Sequence, residues 1–425
     1  MRLRHWLGII ILLFCLTALS GPSGASDRYE PLKRFSQIMD LIERTYVKDV
    51  DRDQLINGAI QGMLHRLDPH SAFLNEEDFK EMQVDTSGEF SGIGIEITMK
   101  NGRLTVVSPI EDTPAYEAGL KAGDIIVEIN GNSTQDITIM DAVHQIRGPK
   151  GTEVELTILH EDAQTPEKVV VERDTIPLIS TKSFVLSPGY LYLRLTRFRE
   201  NTTEELQKAL DKHDKGLKGV ILDLRTNPGG LLNQAVSVAD TFLQEGKIVY
   251  TEGKVDRSQM SFSATKQESD IHVPLVVLIN AGSASASEIV AGALKDHNRA
   301  ILIGEKTFGK GSVQTVIPLS DGSGIKLTTA LYFTPNGRSI QAEGITPDID
   351  LPFVSGQEEK KDAQRTWDSI REKDLTRHLE NGSKEDKDKV KISEKALDLL
   401  AEDNQLRMAF QLVKSLPRFK ELEIE

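Results

Sequence analysis

The sequence predicts an α/β fold, with a mixed-sheet core unit, a smaller β-rich module inserted ahead of it, and helical segments at both ends. Three observations carry this. Strand-like runs at Tyr190–Leu195, Gly219–Leu224, Leu275–Asn280 and Ile301–Ile303 alternate with helical stretches, and the last three are short and apolar, as in a sheet covered on both faces. Upstream, Ile93, Ile95 and Ile97 alternate with glycine and glutamate, which marks a strand-rich segment. At either end, apolar residues recur three or four apart.

Residues 26–85 read as an N-terminal helical region, with Phe35, Ile38, Met39, Ile42 and Val47 on its apolar stripe and a break at Asp68-Pro69-His70-Ser71. Residues 86–174 form the β-rich module: the isoleucine alternation, Leu104 to Val107, Ile125 to Ile129 ending on an Asn130-Gly131 turn, one helix at Ile139–Ile146, and closing strands at Val154–Leu159 and Val169–Val171. The core unit spans 175–352, with helices at Thr203–Asp211, Leu231–Leu243 and from Ser287 to Lys295. Residues 353–425 begin as a charged linker, Gly356 to Lys389, and end in an amphipathic stripe, Ser393 to Leu416, that either caps the core or meets another subunit.

Residues 1–25 resemble an export signal: Arg2 and Arg4, an uncharged run from Leu7 to Leu19, then Ser23-Gly24-Ala25 as a small-residue cleavage site. An uncleaved membrane anchor is the alternative, because no charge falls between Arg4 and Asp27. The expected location is the bacterial periplasm or the outer face of the inner membrane. The single cysteine, Cys15, lies in this segment, so the processed chain has no disulfide, thiolate zinc site or cysteine nucleophile. A net charge of -14 argues against nucleic-acid binding, and no cofactor or metal is expected.

The chemistry concentrates in three stretches of the core unit. Asp223 to Gly230, DLRTNPGG, ends a strand in a Pro-Gly-Gly turn whose bare N–H groups could hold an oxyanion, or which simply needs positive φ. Ala281 to Leu294, AGSASASEIVAGAL, delivers three serines to a helix start, where the dipole favours an alkoxide. Ser285 and Glu288 also fit a capping box, so capping competes with catalysis. Gly304 to Gln314, GEKTFGKGSVQ, follows an apolar strand.

A serine nucleophile needs a base. Of nine histidines, only His213, His272 and His297 fall in the core unit, and none has a catalytic setting. A neutral lysine can serve instead. At an ordinary pKa of about 10.4 only roughly one lysine in a thousand is neutral near pH 7.5, so the site must bias against the charged form by about 3–5 kcal/mol. Lys310, between two glycines and near Phe308 and Val313, fits such a site better than Lys306 beside Glu305. The stretch nearly spells a phosphate loop, but Gly311 stands where the magnesium-binding hydroxyl belongs.

Together these stretches resemble the carboxyl-terminal processing proteases, also called tail-specific proteases, over nearly the whole processed chain. The specific motifs are Gly282 to Ile289 and Thr307 to Gln314. The resemblance implies a serine endopeptidase with Ser285 as nucleophile, Lys310 as base and Gln314 supporting the lysine, and an oxyanion hole from Ala286 with Gly229 or Gly230. An extended Lys310–Gln314 step would separate the two by about 13 Å, so a bent or helical segment is expected here. The β-rich module resembles a PDZ domain. Gly92, Ile93, Gly94 and Ile95 would form its carboxylate-binding loop and, with Val143, a pocket for an apolar C-terminal tail. Polypeptide substrates with apolar C-termini are the expected partners. An adaptor protein, homo-oligomerisation through the terminal helices and membrane association through the N-terminus are further expectations. The rivals are a catalytically silent PDZ scaffold and a small-molecule lyase on a related core.

Overall fold

The structure is a computed structural model that describes residues 26–160, 163–213, 215–355 and 394–422. The expected export signal and charged linker lie outside the described residues. Among the described residues no helix is long and apolar enough to cross a membrane. The chain divides into two compact units, one comprising residues up to Glu76 with 314–328, the other 77–313 with 329 onward.

The first unit contains helices α1 (Ser26–Thr45) and α2 (Arg52–His65) and strand β1 (Ala72–Leu74). The Asp51 carboxylate starts α2 by accepting the Asp53 and Gln54 N–H groups at 2.8 and 3.3 Å. The Asp68 turn expected from sequence is held the same way, by the N–H groups of His70 at 2.7 Å and Ser71 at 2.8 Å. Strand β1 then pairs antiparallel with 324–326.

The second unit opens with α3 (Glu76–Ser87, its first residue belonging to the other unit) and the β-rich module. The module comprises β2 (Glu89–Gly92), β3 (Ile95–Lys100), β4 (Arg103–Pro109), α4 (Pro114–Glu117), β5 (Ile125–Ile129), β6 (Asn132–Ser133), α5 (Ile139–Ile146), β7 (Glu153–Leu159), β8 (Glu167–Glu172) and β9 (Asp174–Pro177). Its sheet runs β3-β4-β5-β7-β8, so β3 is an edge. The alternation in β7, where Val154, Leu156 and Ile158 are all buried, shows why a period of two builds this layer.

The core follows as β10 (Thr181–Ser187), β11 (Tyr190–Leu195), α6 (Thr202–Asp211), β12 (Gly219–Asp223), α7 (Leu232–Asp240), β13 (Lys247–Gly253), β14 (Ser261–Ser263), β15 (Leu275–Ile279), α8 (Ala286–Asp296), β16 (Ile301–Gly304), β17 (Ser312–Pro318), β18 (Gly324–Phe333) and β19 (Ile349–Asp350). The central sheet is mixed, in the order β10-β11-β12-β15-β16-β19, with only the β10–β11 pair antiparallel. Both faces are covered. Leu222, Val277 and Leu302 pack with Leu206, Val238 and Val290 of α6, α7 and α8. On the other face Ile221, Val276 and Ile303 meet Leu406, Phe410 and Val413. Those last three belong to α10 (Asn404–Leu422), which follows α9 (Glu394–Glu402). The C-terminal stripe therefore caps the sheet.

One expectation is corrected. Residues 312–318 form strand β17, paired with β18, so the step from Lys310 to Gln314 is not a helical turn. Main-chain pairing decides this: the Tyr332 N–H on β18 donates to the Gly311 carbonyl at 2.9 Å, drawing the chain into a hairpin.

Candidate active site

The three motif stretches leave the C-terminal ends of three adjacent parallel strands, β12, β15 and β16. That end of an open α/β sheet is where loops converge to form sites. The DLRTNPGG turn follows β12, the serine stretch follows β15, and the lysine stretch follows β16.

The structure separates three serines that look alike in sequence. Ser283 donates its hydroxyl to the Leu224 carbonyl at 2.8 Å, and Ser287 donates to the Asn227 carbonyl at 2.9 Å. Both side chains are wholly buried and stitch the serine loop to the glycine turn. Ser285 sits between them with φ 57° and ψ -113°, at the N-cap of α8. A non-glycine residue in that region is strained, and such strain persists only where surrounding contacts impose it.

Those contacts come from Glu288, which is fully buried. Its Oε2 accepts the Ser285 N–H at 2.8 Å and the Lys310 N–H at 2.9 Å. The two amide nitrogens are therefore no farther apart than the sum of those distances. Its Oε1 accepts the Gly309 N–H at 2.7 Å and the Thr307 hydroxyl at 2.6 Å. Sequence reasoning sees only the first of these bonds, as half of a capping box. The other three cross about twenty residues of chain and carry no local signal.

The glycine turn approaches the same place. A Cβ on Gly229 would lie 2.8 Å from Ser285 Cβ and 2.9 Å from the Ala286 nitrogen, and one on Gly230 would lie 2.1 Å from the Phe198 carbonyl oxygen. With φ of 99° and 146°, only glycine suits both positions. Of the two glycines expected as oxyanion donors, Gly229 is already committed, because its N–H donates to Asn227 Oδ1 at 2.9 Å. The N–H groups of Gly230 and Ala286 have no hydrogen-bond partner among the described residues. Asn227, buried and donating to the Leu195 carbonyl at 2.9 Å, fixes the turn.

Behind the turn, the Arg225 guanidinium bonds Asp223 and Asp403 at 2.7 Å each and Gln405 at 2.8 Å. Tyr192 donates to Asp223 at 2.6 Å. Burial first, then the Asp223 charge, pushes the Tyr192 phenol far above its ordinary value. This cluster ties the start of α10 to the end of β12.

In the β-rich module, Gly92, Ile93, Gly94, Ile95 and Val143 come together around a cleft of about 70 Å³ between β3 and α5. Ile93 is fully buried and forms its floor. Gly94 has φ 80°, and a Cβ there would meet Thr113 at 2.4 Å. The Ile93 and Gly94 N–H groups have no hydrogen-bond partner among the described residues. The Arg147 guanidinium lies 4.7 Å from the centre of the Phe90 ring at the cleft's rim.

Comparison with known proteins agrees with this architecture. Residues 189–351 match peptidase family S41, residues 105–159 a PDZ domain, and residues 18–78 the activating protease CtpB N-terminal domain. The carboxy-terminal-processing protease of Bartonella bacilliformis is 49% identical over 328 residues, spanning 76% of this chain and 75% of the relative. Carboxy-terminal processing protease CtpA of Bacillus subtilis is 38% identical over 340 residues, 79% and 72% of the two chains. Among solved structures, the photosystem II D1 C-terminal processing protease is 32% identical with a TM-score of 0.43, covering 75% of this chain and 92% of that one. The fold and these matches define a serine-type peptidase with a PDZ domain. The chain belongs to the carboxy-terminal-processing proteases of peptidase family S41.

Proposed function

We propose that the chain is an exported endopeptidase with a Ser285/Lys310 dyad that cleaves proteins selected by an apolar C-terminal tail. The observation that carries this reading is the single Glu288 oxygen that accepts both the Ser285 and Lys310 N–H groups. A buried carboxylate used this way brings the nucleophile loop and the base loop together.

In the proposed reaction Ser285 Oγ attacks the scissile carbonyl carbon while Lys310 Nζ takes its proton. The oxyanion that forms is met by the Ala286 and Gly230 N–H groups, at the positive end of α8. Collapse breaks the C–N bond, and the lysine returns the proton to the leaving amine. Water then hydrolyses the ester, with the same lysine as base. The family pattern gives Gln314 the support of Lys310, but the strand that begins at Ser312 is not the helical turn that would bring the two together at i and i+4.

Tail selection rests on the PDZ cleft. Edge strand β3 can accept an extended peptide, and the unpaired Ile93 and Gly94 N–H groups suit its terminal carboxylate. Export rests on the N-terminal sequence pattern. Homo-oligomerisation is supported by α1, which exposes Leu32, Phe35, Ile38 and Leu41.

The test is digestion of an unfolded reporter ending in either an apolar or a charged tail, by the wild type, Ser285→Ala and Lys310→Ala. Activity is expected only in the wild type, with the apolar tail favoured. Turnover by either variant sinks the dyad, and equal rates on both tails sink tail selection.

A further inference from the structure

The loop that carries the proposed base is pinned at every step. All five backbone N–H groups from Thr307 to Gly311 have acceptors: the Ile345 carbonyl at 3.1 Å, the Ser283 carbonyl at 3.0 Å, the two Glu288 oxygens at 2.7 and 2.9 Å, and Gln341 Oε1 at 3.0 Å. The carbonyls of the last three residues are held as well. Gly309 accepts the Ala342 N–H at 2.8 Å, Lys310 the Tyr332 phenol, and Gly311 the Tyr332 N–H at 2.9 Å. A backbone bonded in this way cannot turn to hide a side chain without breaking several bonds at once. Yet Phe308 is 64% exposed.

A lone exposed apolar residue is ordinary on a protein surface. Two features set this one apart. The first is its place: the Phe308 N–H bonds Ser283, two residues before the proposed nucleophile, and Phe308 itself precedes Lys310 by two. The second is what lies beside its backbone. Ala281 and Gly282, which lead into Ser283, are small and exposed, and a Cβ on Gly282 would lie 2.9 Å from the Thr226 Cα. The serine loop therefore raises no bulky side chain next to the aromatic residue. We infer that Phe308 is a substrate-contact residue, a fixed apolar wall for the side chain of the residue that follows the cleaved bond. The inference rests on the dyad reading of the site.

The proton path chooses the side. Lys310 returns its proton to the leaving amine, so the residue that carries that amine departs from the lysine side of the site. The residue before the bond keeps the carbonyl, whose oxygen faces the Ala286 and Gly230 N–H groups. Phe308 shares its loop with the lysine and so meets the leaving residue. An apolar side chain packed there removes two apolar surfaces from water. A carboxylate instead gives up its water to a ring face that is itself weakly negative. Because the loop is ordered before substrate arrives, little of this gain is spent on ordering it.

The experiment mixes two unfolded reporters that share one apolar tail and differ only in the residue after the cleaved bond, leucine or aspartate, with the cut located by mass spectrometry. Competition in one tube reads the ratio of their kcat/KM values, which does not depend on how many molecules fold. A fluorophosphonate that phosphonylates Ser285 counts active sites for the absolute rates. The wild type should favour leucine at least ~10-fold, and Phe308→Ala should lower that ratio by about tenfold. Phe308→Glu should go further and prefer a lysine reporter to the leucine one. A wild type without the preference, or a ratio unchanged in both variants, overturns the proposal. So does a ratio that shifts only when the residue before the bond is varied, since the ring would then serve the other side. A loss equal for all reporters and accompanied by a smaller assembly in sedimentation also overturns it, because a second copy of the chain would then be the ring's partner. Ser285→Ala and Lys310→Ala run alongside: activity in either breaks the dyad reading, whereas their inactivity beside an unmoved ratio in the Phe308 variants breaks only this inference.

Discussion

Replacing Glu288 by glutamine changes one oxygen to an NH2 group and alters the volume hardly at all. The carboxylate accepts four hydrogen bonds, two on each oxygen, at 2.6 to 2.9 Å. The amide keeps two acceptor sites on its oxygen and offers only donors on its nitrogen. In either orientation two donors lose their acceptor and face another donor. Hydrogen bonds to a charged group contribute about 1.5–3 kcal/mol each, so the gross loss is about 3–6 kcal/mol. Relief of the buried charge's desolvation offsets part of this, leaving ~2–4 kcal/mol. Thermal unfolding should fall by several degrees. Activity should fall further than stability accounts for. With the carboxamide oxygen on the Thr307 and Gly309 side, the Ser285 and Lys310 amides are no longer held together. A kcat/KM loss of at least ~100-fold is expected in molecules that remain folded at the assay temperature. Melting within about 1 °C of wild type together with kcat/KM within about twofold would refute the reasoning.

Four further outcomes follow from the same geometry. Asp403→Ala leaves the buried Arg225 guanidinium short of one carboxylate and should destabilise the chain by ~2–4 kcal/mol, seen as a lower denaturant midpoint; a change under about 0.5 kcal/mol contradicts it. Gly94→Ala forces a side chain into φ 80° against Thr113, and should cost about 1–3 kcal/mol and weaken binding of an apolar-tailed peptide by calorimetry. Val143→Lys should weaken that peptide at least tenfold while leaving phosphonylation of Ser285 unchanged. Burial acts to raise the Asp296 pKa, but the bonds from the Asn336 N–H and Arg338 outweigh it and leave the pKa lowered. Its stabilisation is therefore present at neutral pH and is lost only as pH falls below the ordinary aspartate range, through the depressed folded value. The melting gap between wild type and Asp296→Asn should close over that window, and a constant gap down to about pH 3 would be incompatible with it.

What was legible in the sequence was what depends on short-range pattern. Apolar runs of three to six residues marked β12, β15 and β16, and a period of two marked the β-rich module. The Asn227-Pro228-Gly229-Gly230 turn and the serine loop were visible because glycine and capping residues punctuate them locally. The helix at Ile139–Ile146 was bounded correctly because Thr138 caps it. The failure at Lys310–Gln314 has the opposite cause. A side-chain requirement, contact at i and i+4, was used to infer backbone shape, but pairing with β18 sets that backbone from outside the segment.

The same contrast separates the residues that sequence found from those it missed. Ser285 and Lys310 stand in motifs of distinctive composition, but local pattern leaves the three serines equivalent, and it is the family resemblance that singles out Ser285. Glu288 was seen only as a cap, since three of its four donors come from residues 307 to 310; Asn227 was seen only as part of the glycine turn, and Tyr332 drew no notice at all. Each of these three works by joining loops from different strands, and such work leaves no periodicity or spacing to detect. The positions where Gly229 and Gly230 exclude any Cβ show how tightly those loops close on one another. The proposed chemistry, which needs one hydroxyl, one amine and two N–H donors, thus depends for its geometry on groups that do none of the bond making. Substitutions at those groups should move kcat while leaving tail binding intact, whereas substitutions in the PDZ cleft should do the reverse.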